Sequence, residues 1–303
     1  LVRKMAREHR LDLPSITGSG EGGRITKQDV LRHLESGQVS EPPSSSAAVV
    51  PASSPAAPAP APEAATTATA APQGRVEIAA MTAMRKSIAE HMVHSRRTSA
   101  HVTTVFEVDV SRIVQVRESL KVAFEKDEGV KLTYTPFFVR AVTGALKAVP
   151  SLNASIEGDK ILYRKDYNIG VAVALEGGLI VPVVHHADEK SFLGLARAVA
   201  DLAERARARK LKAEEVHGGT FTVTNPGPYG SLFGTPIINQ PQVAILGVGG
   251  IHKRPVVVND AIAVRSMVYL ALSFDHRLVD GAVADQFMAD VKRRLESWDE
   301  KIL

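Results

Sequence analysis

The chain has 303 residues, 45% of them apolar and 23% charged, with a formal net charge of +4. That is the balance of an ordinary globular protein with room for one large domain and something smaller, and the charge is too small and too dispersed to suggest nucleic-acid binding. The absence of cysteine excludes a disulfide framework, a thiolate metal site and a cysteine nucleophile. No apolar run is long enough to span a membrane. The sequence shows no signal peptide, which points to the cytoplasm. It begins at Leu1 rather than Met, so a longer natural chain with an upstream segment is expected.

In chain order, the first unit is residues 1–37. Val2, Met5 and Ala6 lie on one side of a short predicted helix. Thr26 opens a second, with Asp29 three residues on in a capping-box arrangement. Val30, Leu31 and Leu34 make its apolar stripe, and Gly37 suits its end. So small a unit makes a marginal core. Arg3, Arg7, Arg10 and Arg24 form either a solvated charged face or a basic patch for a partner. The run Gly18-Ser19-Gly20-Glu21-Gly22-Gly23 matches the dinucleotide fingerprint in letters only. It lacks the preceding strand and the βαβ unit that the fingerprint needs.

Residues 38–74 form the clearest boundary. They hold eight of the chain's 17 prolines, 12 alanines, no Lys or Arg, and Glu41 and Glu63 as their only charges. Such a stretch buries too little apolar surface to offset its ordering entropy, so a disordered, extended linker is expected. Its reach at full extension is roughly 100 Å.

Residues 75–303 form the large domain. A helix is predicted over 81–95 and a strand over 101–110. Ser111 is expected to cap a helix running to about Lys126, and Thr135-Pro136 to start another. The apolar stretch 168–184, broken at Glu176-Gly177-Gly178, reads as two strands joined by a tight turn. Ser191 caps a helix to about Lys210. Strands follow at 220–224, 242–248 and 268–274. The last helix carries Val283, Phe287, Met288, Val291, Leu295 and Trp298 at helical spacing. The mixture predicts an α/β domain around a buried sheet.

Two segments carry chemistry. Asp275-His276-Arg277-Leu278-Val279-Asp280-Gly281 lies between a buried strand and the final helix, so His276 is placed to face a site; alone, the motif reads better as a turn with Asp280 as helix N-cap. Gly218-Gly219-Thr220-Phe221-Thr222-Val223-Thr224-Asn225 ends a strand in a hydroxyl and an amide. His91/His94 and His185-His186 have no supporting carboxylate or cysteine, so no metal site is expected. A serine hydrolase would need a Gly-x-Ser-x-Gly elbow, which the sequence lacks.

Together these segments resemble the catalytic domain of dihydrolipoamide acyltransferases, the cores of 2-oxo-acid dehydrogenase complexes. The family's His-x-x-x-Asp-Gly motif is matched by His276, Asp280 and Gly281. Its Gly-Thr-Phe-Thr strand ends in Ser or Thr, matched by Thr224, and Met81-Thr82-Ala83-Met84-Arg85-Lys86 looks like its first catalytic-domain helix. Residues 1–37 resemble the same family's peripheral subunit-binding domain through Val2-Arg3-Lys4, Ala6-Arg7-Glu8, Gly23-Arg24 and 26–30.

The resemblance implies a chloramphenicol-acetyltransferase-like fold, a mixed sheet with flanking helices, with a small two-helix subunit-binding domain on a Pro/Ala-rich linker. It implies trimers with the active site between subunits, so that His276 and Thr224 come from different chains, and a 24- or 60-subunit core. It implies that Arg3, Arg7 and Arg24 dock the decarboxylase or the dihydrolipoyl dehydrogenase subunit. The substrates implied are coenzyme A and lipoate, the latter on a lipoyl domain that this sequence does not contain; Asp159-Lys160, the one tempting match to the lipoyl hairpin, reads as an ordinary strand start.

The implied reaction is thioester exchange. His276 is the base for the thiol proton, Thr224 a hydroxyl donor to the oxyanion, and Asp280 a fixing residue with Arg85 or Arg277 as its ion-pair partner. The alternative is a non-catalytic scaffold of the same complex, which would be expected to lose the motif histidine. For the acyl group, 188–190, 253–257 and 295–301 look most like bacterial branched-chain members, whereas Thr224-Asn225 and 231–239 look like succinyltransferases. Acetyl transfer stays open, and the reading leans to branched-chain.

Overall fold

The structure, a computed structural model, describes residues 25–30 and 75–302. The chain divides into two compact units, Leu1–Gly74 and Arg75–Leu303. In the first, the Thr26 N–H and hydroxyl both donate to the Asp29 carboxylate, at 2.8 and 2.9 Å, where residues 27–30 begin a helix and Val30 is buried. That is the reciprocal half of a capping box. The other readings for residues 1–37, including the basic patch of Arg3, Arg7 and Arg24, lie outside the described residues, as does the linker.

The second unit opens with helix α1 (Ala83–Thr98), capped by the Thr82 hydroxyl, which accepts from the Arg85 N–H. Strand β1 (His101–Asp109) and helix α2 (Ser111–Glu128) follow. Ser111 does not cap α2. Asp109 takes the Ser111 N–H, and the Ser111 hydroxyl instead accepts the Ser266 N–H from a neighbouring strand. Helix α3 (Thr135–Ala148) has its proline in the first turn as predicted, where a missing N–H costs nothing. The hairpin β2 (Ala154–Glu157) and β3 (Lys160–Tyr163) turns at Gly158-Asp159, so Lys160 starts an ordinary strand.

The predicted pair of strands in 168–184 is split into four: β4 (Ile169–Val171), β5 (Val173–Leu175), β6 (Gly178–Ile180) and β7 (Val183–Val184). β4 and β7 stay in the main sheet, while β5 and β6 form their own two-stranded sheet. The break falls where the Ala172 N–H turns to Val223 and where Pro182 has none to give. Helix α4 (Phe192–Arg207) is capped by the Ser191 hydroxyl, which accepts from Gly194 at 3.1 Å. Strands β8 (Phe221–Thr224), β9 (Ala244–Val248), β10 (His252–Val258) and β11 (Ala261–Asp275) lead to the last helix, α5 (Gly281–Glu296).

The main sheet is mixed, in the order β1-β11-β9-β8-β4-β7, with β10 also on β11. β4, β8 and β9 run parallel; β1, β10 and β11 pair antiparallel. β11 is 15 residues long, twice the predicted strand, because its first half pairs with β10, which the sequence reading did not assign as a strand. Pro255 hid β10, as a proline fits only an edge strand. The turn between them, Asn259-Asp260, has positive φ at both residues (49° and 60°), the geometry of a tight hairpin.

α5 packs against α3 and β1, and α3 against α4. Phe137, Phe192 and Trp298 meet edge-on with centroids 4.8–5.6 Å apart, and Phe221 of β8 meets Phe287 of α5. Because side chains alternate along a strand, Thr222 and Thr224 face the opposite side of the sheet from Phe221. That second face is crossed by the connection 225–243.

The crossing is close. The Pro236 ring lies where a Gly247 side chain would project, and a Cβ on Gly249 would stand 1.9 Å from the Leu232 carbonyl oxygen. Gly249→Ala should therefore push residues 231–233 off the sheet. The expected cost is about 1–3 kcal/mol or more. It should be read as a fall in thermal midpoint of roughly 2–4 °C per kcal/mol for a domain of this size.

Candidate active site

His276 leaves the sheet at the end of β11, in a turn built on the residue before it. Asp275 is 1% exposed. Its carboxylate accepts from the Arg277 side chain at 3.0 and 2.6 Å and from the Arg277 and Ala100 N–H groups at 3.1 and 3.2 Å, and the Ser99 hydroxyl helps to stabilise it. Burial pushes this carboxyl up, but those hydrogen bonds outweigh it and hold the group below the ordinary range. The Asp275 carbonyl takes the N–H groups of Leu278 and Val279, closing the turn, and the His276 N–H donates to Ala100 at 2.9 Å. The His276 side chain is exposed, its ring 5.8 Å from that of Phe274.

Asp280 holds the N-cap position of α5 without a side-chain cap bond and is exposed. Neither expected ion-pair partner reaches it. Arg277 gives its fork to Asp275, two residues earlier and buried. The Arg85 guanidinium donates to the Gly177 carbonyl at 2.6 Å. Asp280 has no ion pair among the described residues.

Thr224 is half-buried at the C-terminal end of β8. Its register partner on β9 is Gly247, and that of Gly247 on β11 is Ala271. From Ala271 to His276 is five residues along β11 and its turn, and from β8 to β11 is two strand spacings. At 3.3–3.4 Å per residue and 4.7–4.9 Å per strand, the two groups are about 15–20 Å apart in one chain. One chain therefore brings His276 and Asp280 to one end of the sheet and Thr224 to the other.

The loop that follows Thr224 is anchored at the His276 end. The His101 Nδ1 faces the Ser99 carbonyl at 3.1 Å and its Nε2 faces the Ile238 N–H at 3.1 Å, which defines the neutral tautomer protonated on Nδ1. The Ser95 hydroxyl donates to Ile238 O, His91 meets Asn239, and the Gln240 amide donates to Ser99. The sequence reading gave these residues no role. The readable signal was Asp275 itself, a charge closing an apolar strand with Arg277 two residues on, since a buried carboxylate needs donors.

The family described as 2-oxoacid dehydrogenases acyltransferase (catalytic domain) matches residues 73–303, and the e3 binding domain matches residues 1–31. The chain belongs to the 2-oxoacid dehydrogenase acyltransferase family. As such it is an acyltransferase, and no helix among its described residues is long and apolar enough to cross a membrane. It is 46% identical to the lipoamide acyltransferase component of the branched-chain alpha-keto acid dehydrogenase complex of Bacillus subtilis, over 99% of this chain and 71% of that one. It is 42% identical to the succinyltransferase component of the 2-oxoglutarate dehydrogenase complex of Rickettsia bellii, over 100% and 70%.

Among solved structures, a probable dihydrolipoamide acetyltransferase from Listeria monocytogenes superposes with a TM-score of 0.74 at 43% identity, over 76% of this chain and 99% of that one. The cubic core of a pyruvate dehydrogenase multienzyme complex superposes with a TM-score of 0.72 at 36% identity, over 74% and 93%. These acyltransferases span branched-chain, succinyl and acetyl types.

Proposed function

We propose that this acyltransferase passes an acyl group between the dihydrolipoyl thiol and coenzyme A at sites shared by neighbouring copies of the chain, as the core of a 2-oxo-acid dehydrogenase complex. The observation that carries the shared site is the separation of His276 from Thr224. A base and an oxyanion donor acting on one tetrahedral carbon must both lie within hydrogen-bond reach of it. In one chain they stand at opposite ends of a sheet; in a head-to-tail ring each copy offers His276 to one neighbour and Thr224 to the other. The likeness to a cubic core supports self-association as trimers in a larger assembly.

Both thiols belong to substrates, and this chain supplies the surroundings. A thiol is mostly protonated at neutral pH. The neutral imidazole of His276 takes the proton of the coenzyme A thiol, and the thiolate attacks the acyl carbon. Thr224 donates to the oxyanion, and His276 returns the proton to the leaving dihydrolipoyl sulfur. No covalent enzyme intermediate is required, in keeping with a chain without cysteine. Asp280, four residues after His276, stands at the start of α5, and its side chain makes no hydrogen bond or ion pair among the described residues that would fix the turn in this chain. Residues 1–37, of which 1–31 match the e3 binding domain, dock the dihydrolipoyl dehydrogenase or the decarboxylase through Arg3, Arg7 and Arg24, and residues 38–74 act as the tether to the catalytic domain at 75–303.

For the acyl group we favour an uncharged, branched chain. At the Thr224 end of the sheet the exposed side chains include Tyr229, Leu232 and Phe233. Phe233 packs on Tyr269, and Arg254, which bonds Tyr269, is also held by Glu107 at 2.7 Å. An apolar surface whose arginine is already paired favours an uncharged acyl group over a succinyl carboxylate. The test is exchange between dihydrolipoamide and isobutyryl-, acetyl- or succinyl-CoA. Isobutyryl-CoA is expected to give the highest kcat/KM, with succinyl-CoA at least 10-fold lower, since an unpaired desolvated charge costs well over 1.4 kcal/mol. A succinyl preference refutes the acyl assignment. No exchange with any of the three, by a folded and assembled protein, would instead support the scaffold reading.

A further inference from the structure

The general-base reading leaves open what aims His276, whose own side chain has no hydrogen bond among the described residues. The only ties are to its backbone and to the residues on either side. Asp275 and Arg277 form a bidentate pair across it, and the Ala100 peptide is gripped twice, its N–H by Asp275 and its carbonyl by the His276 N–H.

Behind Asp275 stands a second layer. The Ser99 hydroxyl, which helps to hold the Asp275 carboxyl low, accepts the Gln240 amide at 2.7 Å. Gln240 also reaches the Ser95 hydroxyl at 3.4 Å, and Ser95 donates to the Ile238 carbonyl at 2.6 Å. A carboxylate buried to this degree is costly unless fully satisfied, and here every donor comes from the turn or from the end of α1. A helix N-cap or a plain turn would need none of this.

We propose that Asp275 is the positioning residue of His276: through Arg277, Ser99 and Gln240 it locks the turn that presents the imidazole. This rests on His276 acting as the base, and it adds a role that the histidine motif does not include. The carboxylate also sets the local field. Asp275 and Arg277 place opposite charges on the two sides of the imidazole. The other ionisable groups around the turn are Asp280 on the same turn, Asp285 on α5 and His101 on β1.

The signs follow. In Asp275→Asn the Arg277 charge is left alone, so His276 gives up its proton more readily and the acid limb of kcat/KM moves to lower pH. In Arg277→Met the Asp275 charge is left alone, and the limb moves to higher pH. At partly screened range each shift is about 0.5–1 pH unit. Both variants should also lower kcat by about 10–100-fold, the effect of a slightly misplaced catalytic group, with the KM for coenzyme A within about threefold. Arg277→Lys should recover part of the loss.

The experiment is the pH profile of acyl exchange for wild type, Asp275→Asn, Arg277→Met, Arg277→Lys and His276→Ala, each checked for assembly by sedimentation. Opposite shifts with reduced kcat establish the proposal. Shifts in the same direction, or kcat within twofold of wild type in the two charge-removing variants, overturn it while leaving the base reading intact if His276→Ala is dead. An active His276→Ala overturns both. Arg277 is 41% exposed, and Arg277→Lys keeps a cation beside the buried Asp275, so its reduced kcat decides the question if the charge-removing variants do not assemble.

Discussion

His276→Ala is expected to lower thioester exchange by about 10²–10⁴-fold, the usual worth of a general base, with no change in assembly. The expectation of intact assembly comes from the structure. The His276 side chain is exposed, and the turn is held by Asp275, Arg277 and Ala100, none of which the substitution removes. The loss should fall on kcat rather than KM, because the base acts on a proton that moves only in the transition state. It should shrink as pH rises toward the thiol pKa of about 8.5, where coenzyme A increasingly supplies its own thiolate. A loss that is the same at pH 6.5 and pH 9 would mean that His276 contributes something other than proton abstraction. Activity within threefold of wild type at neutral pH would end its assignment as the base.

The parts of this fold that sequence made legible are those with a local cause. Ser191 and Thr82 cap helices because a hydroxyl satisfies an orphan N–H three residues on, and Pro136 sits where its missing N–H is harmless. The apolar spacing of Phe287, Met288, Val291 and Leu295 reads directly as the buried stripe of α5. What was not legible depended on distant partners. Ser111 looked like a cap, but it is spent on Ser266, 155 residues away. β10 was hidden because an edge strand tolerates Pro255 and its sequence, three polar residues, a proline and three valines, shows no apolar alternation although its burial alternates.

The site divides in the same way. His276, Asp280 and Thr224 are found by resemblance, whereas Asp280 is expected to pair with Arg85 or Arg277 and pairs with neither, Arg277 being bound to Asp275. Sequence distance favoured neither carboxylate; burial decided, because Asp275 is inside and Asp280 is exposed. His101 drew no functional claim. Its two ring contacts, to Ser99 and Ile238, join segments 137 residues apart that nothing in a linear reading brings together.

Mixing His276→Ala chains with Thr224→Ala chains should restore activity that neither has alone. Thr224→Ala removes one oxyanion donor, an expected loss of about 10²–10³-fold. If a site draws its histidine from one copy and its threonine from the next, random assembly of the two variants in equal amounts leaves roughly one site in four with both groups intact, the product of two probabilities of one half. Exchange should then recover to about a quarter of wild type after co-expression, and should stay at the mutant floor when the two are assembled separately and mixed. If both groups served a site within one chain, every site in the mixture would carry a defect and no recovery could occur under either protocol. The structure favours recovery for a reason independent of any relative. The strand β11 that ends in His276 runs antiparallel to β9, and β8, which ends in Thr224, runs parallel to β9. The two residues therefore leave opposite ends of the strands of one sheet, and no side-chain rotation closes a gap of about 15–20 Å.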